Sequence, residues 1–396
     1  MIGPNSALPL SVNALLNTCR NHELRPCLET LTPVPWVSQE GHRCGHVLCD
    51  VYFPDGSPDT TSPRQLLQVQ LDKLHEKHGL EVRSGFEYEF FVFEEGSMQP
   101  LGKTCAVSVR DWDQNHKILA DLNETLEAVG VDMTFIQTEY SPGQWEISTE
   151  PQSGLRGGDV GFHVKHAVKG FFPTRGYLAT FMTRPTLESV SSGLHLNHSL
   201  WKRVGSDKEG SDSNVLLDSS ADDKLSDTAR HWIAGLATHA PALSAICSPT
   251  LNCYRRLHNL VSPSHGTWGH DDRNAMIRAR TPRDNVFLEN RLVSSAASPY
   301  LALAATVAAG MDGLNRLLQC PPPMDKDRAL EVPRTLSDAL DALDKDVEMR
   351  ALLGDYFVDC YVGAKREYEV KAFNDAALTT EAEEMEFERK MYMEAL

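Results

Sequence analysis

Residues 85–93 have the sequence GFEYEFFVF, in which two glutamates, Glu87 and Glu89, interrupt a run of aromatic and aliphatic residues. Such a run predicts a buried β-strand. Successive side chains of a strand point to opposite faces, so the two carboxylates share one face. Burying two like charges together is unfavourable, and a bound divalent cation would offset that cost. The alternative is an exposed edge strand with a solvated acidic face.

The composition of the chain limits which classes of molecule it can bind and indicates where in the cell it functions. The 396 residues could form one large catalytic domain, and 38 Lys+Arg against 55 Asp+Glu give a formal net charge of -17, which disfavours nucleic acid and anionic membranes as partners. No apolar run approaches the ~20 residues that cross a bilayer, and the N-terminus lacks a signal-peptide pattern. The nine scattered cysteines fit reduced thiols. We therefore expect a cytoplasmic protein.

The first half of the chain predicts helices and strands in alternation. Pro63 opens an amphipathic pattern that ends near Gly79. Two further strands place Glu139 at the end of the first and Glu146 within the second. The predicted helices cover residues 63–74, 113–128 and 159–172, and the predicted strands cover residues 131–138 and 144–148.

Residues 193–200 alternate cleanly, which predicts a strand with His195, Asn197 and Ser199 on one face and leucines mainly on the other. Residues 202–227 are rich in Ser, Asp, Lys and Gly and predict a solvated loop. From residue 228 helices dominate, including residues 297–317 and a long region from about Leu336. Strands mixed with helices, followed by a helical end, predict an α+β fold rather than a doubly wound sheet.

Four arginines and one further glutamate lie in short motifs of the second half: Arg256, Arg273, Arg278, Glu289 and Arg291. The planar guanidinium fork suits carboxylate and phosphate groups. Hard cations such as Mg²⁺ and Mn²⁺ prefer carboxylate oxygens. Together with the upstream acids, these residues indicate a pocket for a nucleotide and a carboxylate. For the arginines, the alternative is a solvated ion-pair face.

Several ordered motifs resemble the catalytic domain of the glutamine synthetase family: GFEYEFFVF, EYSPGQWEI, SGLH, NCYRRL, and ENR followed by ASPYLALAA. The resemblance runs from about Cys49 to the C-terminus. It implies an α+β catalytic domain with a curved antiparallel sheet, flanking helices and a helical C-terminal region. We expect residues 49–396 to form this domain and residues 1–48 to be a short remnant of the family's β-rich N-terminal domain.

The resemblance also implies two Mg²⁺ or Mn²⁺ sites and ATP as a substrate. The first ion would be held by Glu89, Glu139 and Glu146. The second would be held by Glu87, His195 and Glu289. The family reaction phosphorylates the γ-carboxylate of glutamate with ATP, and ammonia or an amine then displaces phosphate.

The same resemblance implies roles for the remaining candidates. Substrate binding is assigned to Gly193, Arg256 and Arg291, ATP binding to Asn197, Ser199, Arg273 and Arg278, and a catalytic role to Arg256, Arg273 and Arg291. Phosphoryl transfer needs positioning and charge neutralisation, which metals and arginines supply. Family members assemble into rings, so we expect a homo-oligomer.

Three positions depart from the family pattern. Ser262 stands where the family's flap carries a glutamate, Val190 where an asparagine precedes the metal histidine, and Phe287 where an arginine precedes the metal glutamate. No Phe-Asp-Gly-Ser stretch supplies the N-terminal aspartate that helps to deprotonate ammonium. These departures imply altered handling of the amine and weaker contacts to substrate and ATP.

A second hypothesis follows from the C-terminal half. Residues 231–236, 267–269 and 301–314 resemble the lengsin branch of the family. That branch is thought to act as a structural or chaperone-like protein without synthetase activity, and it would bind cytoskeletal partners. The sequence therefore leaves an active ligase and a lengsin-like scaffold open.

Overall fold

The computed structural model describes residues 21–37, 41–103, 107–202, 212–259, 261–283 and 285–396. Strand β1 (Glu23–Pro26) pairs with β4 (Cys49–Tyr52), and β2 (Thr32–Pro33) pairs with β3 (Gly45–His46). The next ten strands form one sheet: β5 Glu81–Glu94, β6 Met133–Thr138, β7 Gln144–Thr149, β8 Gln152–Ser153, β9 Tyr177–Thr180, β10 Leu194–Lys202, β11 Ser213–Asn214, β12 Trp268–His270, β13 Ile277–Arg280 and β14 Phe287–Asn290.

The 14-residue strand β5 lies in the middle of this sheet, whose main path is β12-β13-β14-β10-β5-β7-β6. Strand β5 pairs antiparallel with β10 on one side and with β7 on the other. The edge-strand alternative for Glu87 and Glu89 is therefore wrong. Among the described strands, β12 and β13 form the one parallel pair in an otherwise antiparallel sheet.

Helices flank the sheet and form the C-terminal region. They are α1 Pro63–His78, α2 Val109–Ala128, α3 Leu155–Phe171, α4 Asp227–Thr238, α5 Ala240–Cys247, α6 Pro299–Arg316, α7 Leu336–Lys345, α8 Val347–Leu353, α9 Asp355–Lys365, α10 Lys371–Asp375 and α11 Glu381–Tyr392. The predicted α+β architecture is confirmed. In the described part of the chain, none of these helices combines the length and hydropathy that a membrane span requires.

Glycines let the central helix α6 approach α4 closely. A Cβ atom at Gly310 would lie 2.1 Å from the Trp232 ring, and one at Gly313 would lie 2.0 Å from the His231 carbonyl oxygen. Such distances are below any van der Waals contact, so larger side chains would force the helices apart. Helix α6 also packs against α1, α3 and α5. It therefore forms the centre of the helical layer.

Helix boundaries follow local signals that the sequence carries. Helix α1 starts at Pro63 and ends before Gly79, which has a φ of 64° in the left-handed region that terminates helices. Helix α2 begins at Val109, four residues earlier than predicted, because the Ser108 side chain accepts a hydrogen bond from the Asp111 backbone N–H.

One sequence prediction needs correction, and three strands were not predicted. The stretch 202–227 is not wholly a solvated loop, because β11 pairs with β10 and both Leu216 and Leu225 are buried. Its residues 203–211 lie outside the described residues. Helices dominate from residue 228, as predicted, and the strands β12, β13 and β14, which were not predicted, extend the sheet. These strands are three or four residues long, too short to show a period-2 pattern.

A buried arginine joins the N-terminal strands to the rest of the protein. Arg64 Nε donates to Asp159 Oδ1 at 2.8 Å, and Arg64 also pairs with Asp50 of β4. The Tyr300 hydroxyl donates to Asp159 at 2.7 Å. Arg64 thus connects β4, α1 and α3.

We expect Arg64→Met to lower the free energy of unfolding by about 3 kcal/mol, because it leaves the buried carboxylate of Asp159 without its cation. Urea denaturation of the variant against the wild type measures this change. Arg110→Met, at an exposed position of α2, is the control and should change stability little. Equal losses in the two variants would contradict the role of the Arg64 ion pair.

His239 forms a second buried ionic link. Its Nδ1 lies 2.7 Å from Asp346 Oδ2 and its Nε2 lies 3.0 Å from Asp312 Oδ2, and Arg316 also donates to Asp312. Burial lowers the pKa of His239, but the two carboxylates outweigh burial and raise the pKa above its usual 6.5. The imidazolium form therefore stabilises the fold.

A group whose pKa is raised by folding stabilises fully below its unfolded pKa and loses that effect as pH rises through its folded pKa. We expect the stability difference between wild type and His239→Gln to be largest near about pH 6 and to shrink toward about pH 9. Urea denaturation at the two pH values measures it. A difference that grows with pH would show that His239 is neutral in the folded protein.

Candidate active site

Strand register brings the predicted acids to one region of the sheet. His195 of β10 lies opposite Glu87 of β5, and Glu146 of β7 lies opposite Glu89 of β5. On the far side of β10, Glu289 of β14 lies opposite Asn197. Because directly opposed residues of neighbouring strands share a face, these side chains converge on one face.

The tightest group consists of Glu87, His195 and Glu289. Each offers one ligand atom, and these atoms lie within 4.8 Å of one another. His195 Nδ1 lies 3.1 Å from Glu87 Oε2 and 3.6 Å from Glu289 Oε1. Burial acts to raise the pKa of Glu87, but the hydrogen bond and charge of His195 outweigh it and lower the pKa to about 2. Two carboxylates and an imidazole in this arrangement fit a divalent cation.

The second predicted set, Glu89, Glu139 and Glu146, is more open. In the described part of the chain, only the first group brings three ligand atoms within that mutual distance. Burial, a hydrogen bond with Glu139 and the charge of Glu89 raise the pKa of Glu146 to about 9. Burial and the Glu89 charge also raise the pKa of Glu139. Glu89 Oε1 lies 3.8 Å from His195 Nε2, but the raised pKa values of Glu139 and Glu146 indicate an excess of negative charge that a bound metal ion would relieve.

Three buried arginines lie beside Glu289 and His195. Arg278 Nη1 donates to Glu289 Oε2 at 2.9 Å, and Arg291 donates to the other carboxylate oxygen. Arg256 Nη2 donates to the Arg291 carbonyl oxygen at 2.8 Å and lies 3.3 Å from His195 Nε2. The solvated ion-pair alternative for these three arginines is wrong, because their exposed fractions are 3% to 6%.

Two buried guanidinium nitrogens of this group, Arg256 Nη1 and Arg278 Nε, have no hydrogen-bond partner among the described residues. Burial lowers the pKa of Arg256 to about 10, so the side chain still carries its charge near neutral pH. Unpaired buried donors are costly, and an anionic ligand would satisfy them. The donors beside the carboxylates therefore fit an anion bound together with a metal ion.

The remaining predicted residues lie at different distances from the Glu87, His195 and Glu289 group. Asn197 Nδ2 donates to Glu87 Oε1 at 3.0 Å, and the Gly193 backbone N–H donates to Glu89 Oε2 at 3.0 Å. Ser199 lies further along β10, where its hydroxyl accepts a hydrogen bond from Trp201. Arg273 has an exposed side chain, and its carbonyl oxygen accepts a hydrogen bond from Arg291 Nε.

Gly193 is required by the packing of the site. A Cβ atom there would lie 2.7 Å from His195 Nε2 and 3.2 Å from an Arg256 nitrogen. The first distance is shorter than any real Cβ contact, so a larger residue would displace the imidazole. Gly193 thus allows the histidine and the arginine to meet.

Two glutamines complete the site and were not identified from the sequence. Gln137 Nε2 donates to Glu146 Oε2 at 2.7 Å and to Glu139 Oε1 at 3.2 Å. Gln144 Nε2 donates to Ser192 Oγ at 2.9 Å and lies 3.4 Å from Glu89 Oε2. Each glutamine stands two residues before a predicted acid, so the alternation rule applied to Glu87 and Glu89 could have found both.

The three departures from the family pattern lie near this site. Val190 is 49% exposed, and its backbone N–H donates to Ser141 Oγ at 2.6 Å. Ser262 follows Val261, whose carbonyl oxygen accepts a hydrogen bond from Arg291 Nη2. The Phe287 ring lies 5.6 Å from the Arg280 guanidinium, within the range of a cation–π contact.

Comparisons with known proteins identify the family of this chain. A sequence model described as glutamine synthetase, catalytic domain, matches residues 60–389. Glutamine synthetase of Thermus thermophilus is 32% identical over 364 residues, which cover 87% of this chain and 80% of that protein. Lengsin of Homo sapiens is 32% identical over 399 residues, which cover 97% of this chain and 73% of lengsin.

Solved structures show the same architecture. GmaS in complex with ADP superposes with a TM-score of 0.80 at 26% identity, covering 98% of this chain and 86% of GmaS. A novel glutamine synthase homologue gives a TM-score of 0.79 at 25% identity, covering 93% of this chain and 84% of the homologue. From the matched catalytic-domain model and these relatives, we conclude that the chain belongs to the glutamine synthetase family.

Proposed function

We propose that this protein is an ATP-dependent ligase that joins ammonia or a small amine to the γ-carboxylate of glutamate through γ-glutamyl phosphate. The observation that carries the proposal is that the Glu87, His195 and Glu289 group meets two buried arginines, Arg256 and Arg278. Within the described part of the chain, each of these has one guanidinium nitrogen without a hydrogen-bond partner. A divalent cation and an anion with several oxygens would satisfy both halves of this arrangement. ATP and glutamate together provide such an anion.

Six residues would hold two Mg²⁺ or Mn²⁺ ions, with Glu87, His195 and Glu289 at one and Glu89, Glu139 and Glu146 at the other. Bound there, the ions would neutralise phosphate charge and orient the two substrates. Gln137 would keep Glu139 and Glu146 in place through its two hydrogen bonds. The Asn197 amide would do the same for Glu87.

The arginines would divide the anionic groups between them. Arg256 and Arg291 would bind the carboxylates of glutamate beside Gly193, whose missing side chain lets Arg256 and His195 approach the backbone there. Arg273 and Arg278 would bind the phosphates, and Asn197 and Ser199 would lie along the nucleotide. Arg256, Arg273 and Arg291 would stabilise charge as phosphate transfers from ATP to the γ-carboxylate and then leaves.

The comparisons support a nucleotide as one substrate but do not identify the amine. GmaS was solved with ADP, and its fold covers 98% of this chain. The departures at Val190, Ser262 and Phe287 favour an amine or a substrate pose that differs from the glutamine synthetase pattern. We further propose that residues 49–396 form the catalytic domain, that residues 1–48 derive from an N-terminal domain, and that the protein is a cytoplasmic homo-oligomeric ring.

A lengsin-like scaffold is the second candidate, favoured by the 32% identity to human lengsin over 97% of this chain. Under this hypothesis the protein assembles into oligomers, binds cytoskeletal partners and has no catalytic activity. A third possibility is a module that keeps ATP or metal as a structural ligand. It would show metal-dependent thermal stabilisation without product.

The test is a γ-glutamyl hydroxamate assay with glutamate, ATP, Mn²⁺ and hydroxylamine, run beside a Glu87→Ala variant. The ligase proposal expects product, and release of phosphate that requires both glutamate and the amine. Product no higher than in the variant would reject the ligase. Light scattering on the same samples measures the oligomer, which both the ligase and the scaffold readings expect.

A further inference from the structure

The C-terminal helix α11 contacts the turn that carries Arg256. Glu388 of α11 is 3% exposed and accepts hydrogen bonds from Arg255 Nε, at 2.8 Å, and from Asn252 Nδ2, at 2.6 Å. Both donors belong to the 3₁₀ turn Leu251–Arg255, and Arg256 is the residue at its C-terminal end. One buried carboxylate therefore fixes two points of the turn immediately before Arg256.

Further bonds make this turn rigid. The fully buried side chain of Asn252 accepts from the Arg184 backbone N–H at 2.7 Å and donates to the Arg184 carbonyl oxygen at 2.9 Å. The Leu251 backbone N–H donates to the Tyr392 hydroxyl at 3.4 Å, one turn of α11 beyond Glu388. Helix α11 is thus joined to both ends of the turn.

Arg256 itself has few contacts that could set its direction. Its Nη2 contacts the Arg291 carbonyl oxygen and His195 Nε2, whereas its buried Nη1 has no partner in the part of the chain that the structure describes. The position of the guanidinium therefore depends on the backbone turn that holds it. Glu388 also compensates the charge of Arg255, the cation next to Arg256 in the chain.

We propose that Glu388 is a positioning residue, which acts through Arg255 and Asn252 to direct Arg256 Nη1 toward an anionic group of the substrate. This inference rests on the proposed function, in which Arg256 binds a carboxylate of glutamate. A misplaced guanidinium weakens binding of that carboxylate, while the metal and nucleotide groups on β5, β10 and β14 stay in place.

Glu388→Gln tests the proposal, with Glu384→Gln as the matched control. Both carboxylates accept from Arg255, but Glu384 does so at a partly exposed position, with its side chain 37% exposed. We expect Glu388→Gln to raise the KM for glutamate about tenfold, as loss of a buried charged hydrogen bond would. The kcat should stay within about threefold and the KM for ATP should not change. Glu384→Gln should match the wild type.

A role in folding alone gives a different result. It would lower the thermal midpoint and the active fraction, and hence kcat, with an unchanged KM for glutamate. That outcome would overturn the positioning role. If Glu388→Gln does not fold, Arg255→Lys, which keeps the charge and loses the guanidinium fork, should raise the KM for glutamate in the same way.

Glutamate binding in the presence of Mn²⁺ and ADP, measured by calorimetry, separates this inference from the proposed function. A wild-type protein that neither binds glutamate nor forms product would reject the ligase, and the positioning role with it. Wild-type binding with equal affinity in Glu388→Gln would reject the positioning role alone. Weaker binding in Glu388→Gln, with wild-type affinity in Glu384→Gln, is the expected result.

Discussion

Replacing Glu87 by glutamine is expected to lower metal-dependent γ-glutamyl hydroxamate formation by about a thousandfold or more. Glutamine keeps the size of the side chain and one oxygen but removes the negative charge. The low pKa of Glu87, about 2, means that this charge is present at any working pH. Without it, the site would have to hold the cation that neutralises the ATP phosphates with one negative charge fewer.

Glu94→Gln is the control, because Glu94 ends the same strand at an exposed position. Both variants should fold as the wild type does by circular dichroism, and only Glu87→Gln should lose product. An unchanged rate in Glu87→Gln would remove this carboxylate from the metal site. Equal losses in both variants would mean that the substitutions disturb β5 itself.

The local part of this site could be predicted from the sequence. Alternation along β5 and β10 places Glu87 with Glu89, and His195 with Asn197, because a strand has a side-chain period of two. The pairing of His195 with Glu87 is different. It depends on the register between strands more than 100 residues apart in the sequence, which no local pattern encodes and which the family resemblance alone implied.

Strands β13 and β14 could not be predicted from the sequence, although their site residues could. Strand β13, Ile277–Arg280, has four residues, of which Ile277 alone is a strong strand former, so its own propensity for a strand is weak. It is extended because it pairs with β12 and β14, and because Arg278 and Glu289 bond across the pair. The site residues on these strands were identified by motif, whereas the strands themselves required the tertiary structure.

Replacing Glu146 by glutamine is expected to lower the rate of product formation by about a thousandfold, without destabilising the metal-free protein. Burial and two neighbouring carboxylates raise the pKa of Glu146 to about 9, so the metal-free protein already holds this side chain neutral near pH 7. Glutamine resembles that neutral form and can still accept the hydrogen bond from Gln137. What it cannot supply is the charge that a divalent cation needs.

Thermal unfolding with and without Mn²⁺ separates these two effects. Metal at about a hundred times its Kd should stabilise the wild type by about 2.7 kcal/mol per site, and Glu146→Gln should lose the contribution of its own site. The double variant Glu87→Gln/Glu146→Gln should gain no stability from Mn²⁺. Glu150→Gln is the control, because Glu150 lies at an exposed position just beyond β7, the strand that carries Glu146, and it should be stabilised by Mn²⁺ as the wild type is.

A full Mn²⁺ response in Glu146→Gln would exclude this carboxylate as a ligand. A metal-free Glu146→Gln protein much less stable than Glu150→Gln would mean that the carboxylate serves the fold. We expect Glu146→Gln to keep its stability but to lose both activity and the metal response. This combination indicates a binding group, because burying an acid costs free energy that only binding of a ligand would offset. That combination would set this protein apart from a lengsin-like scaffold, which has no use for a buried acid that destabilises it.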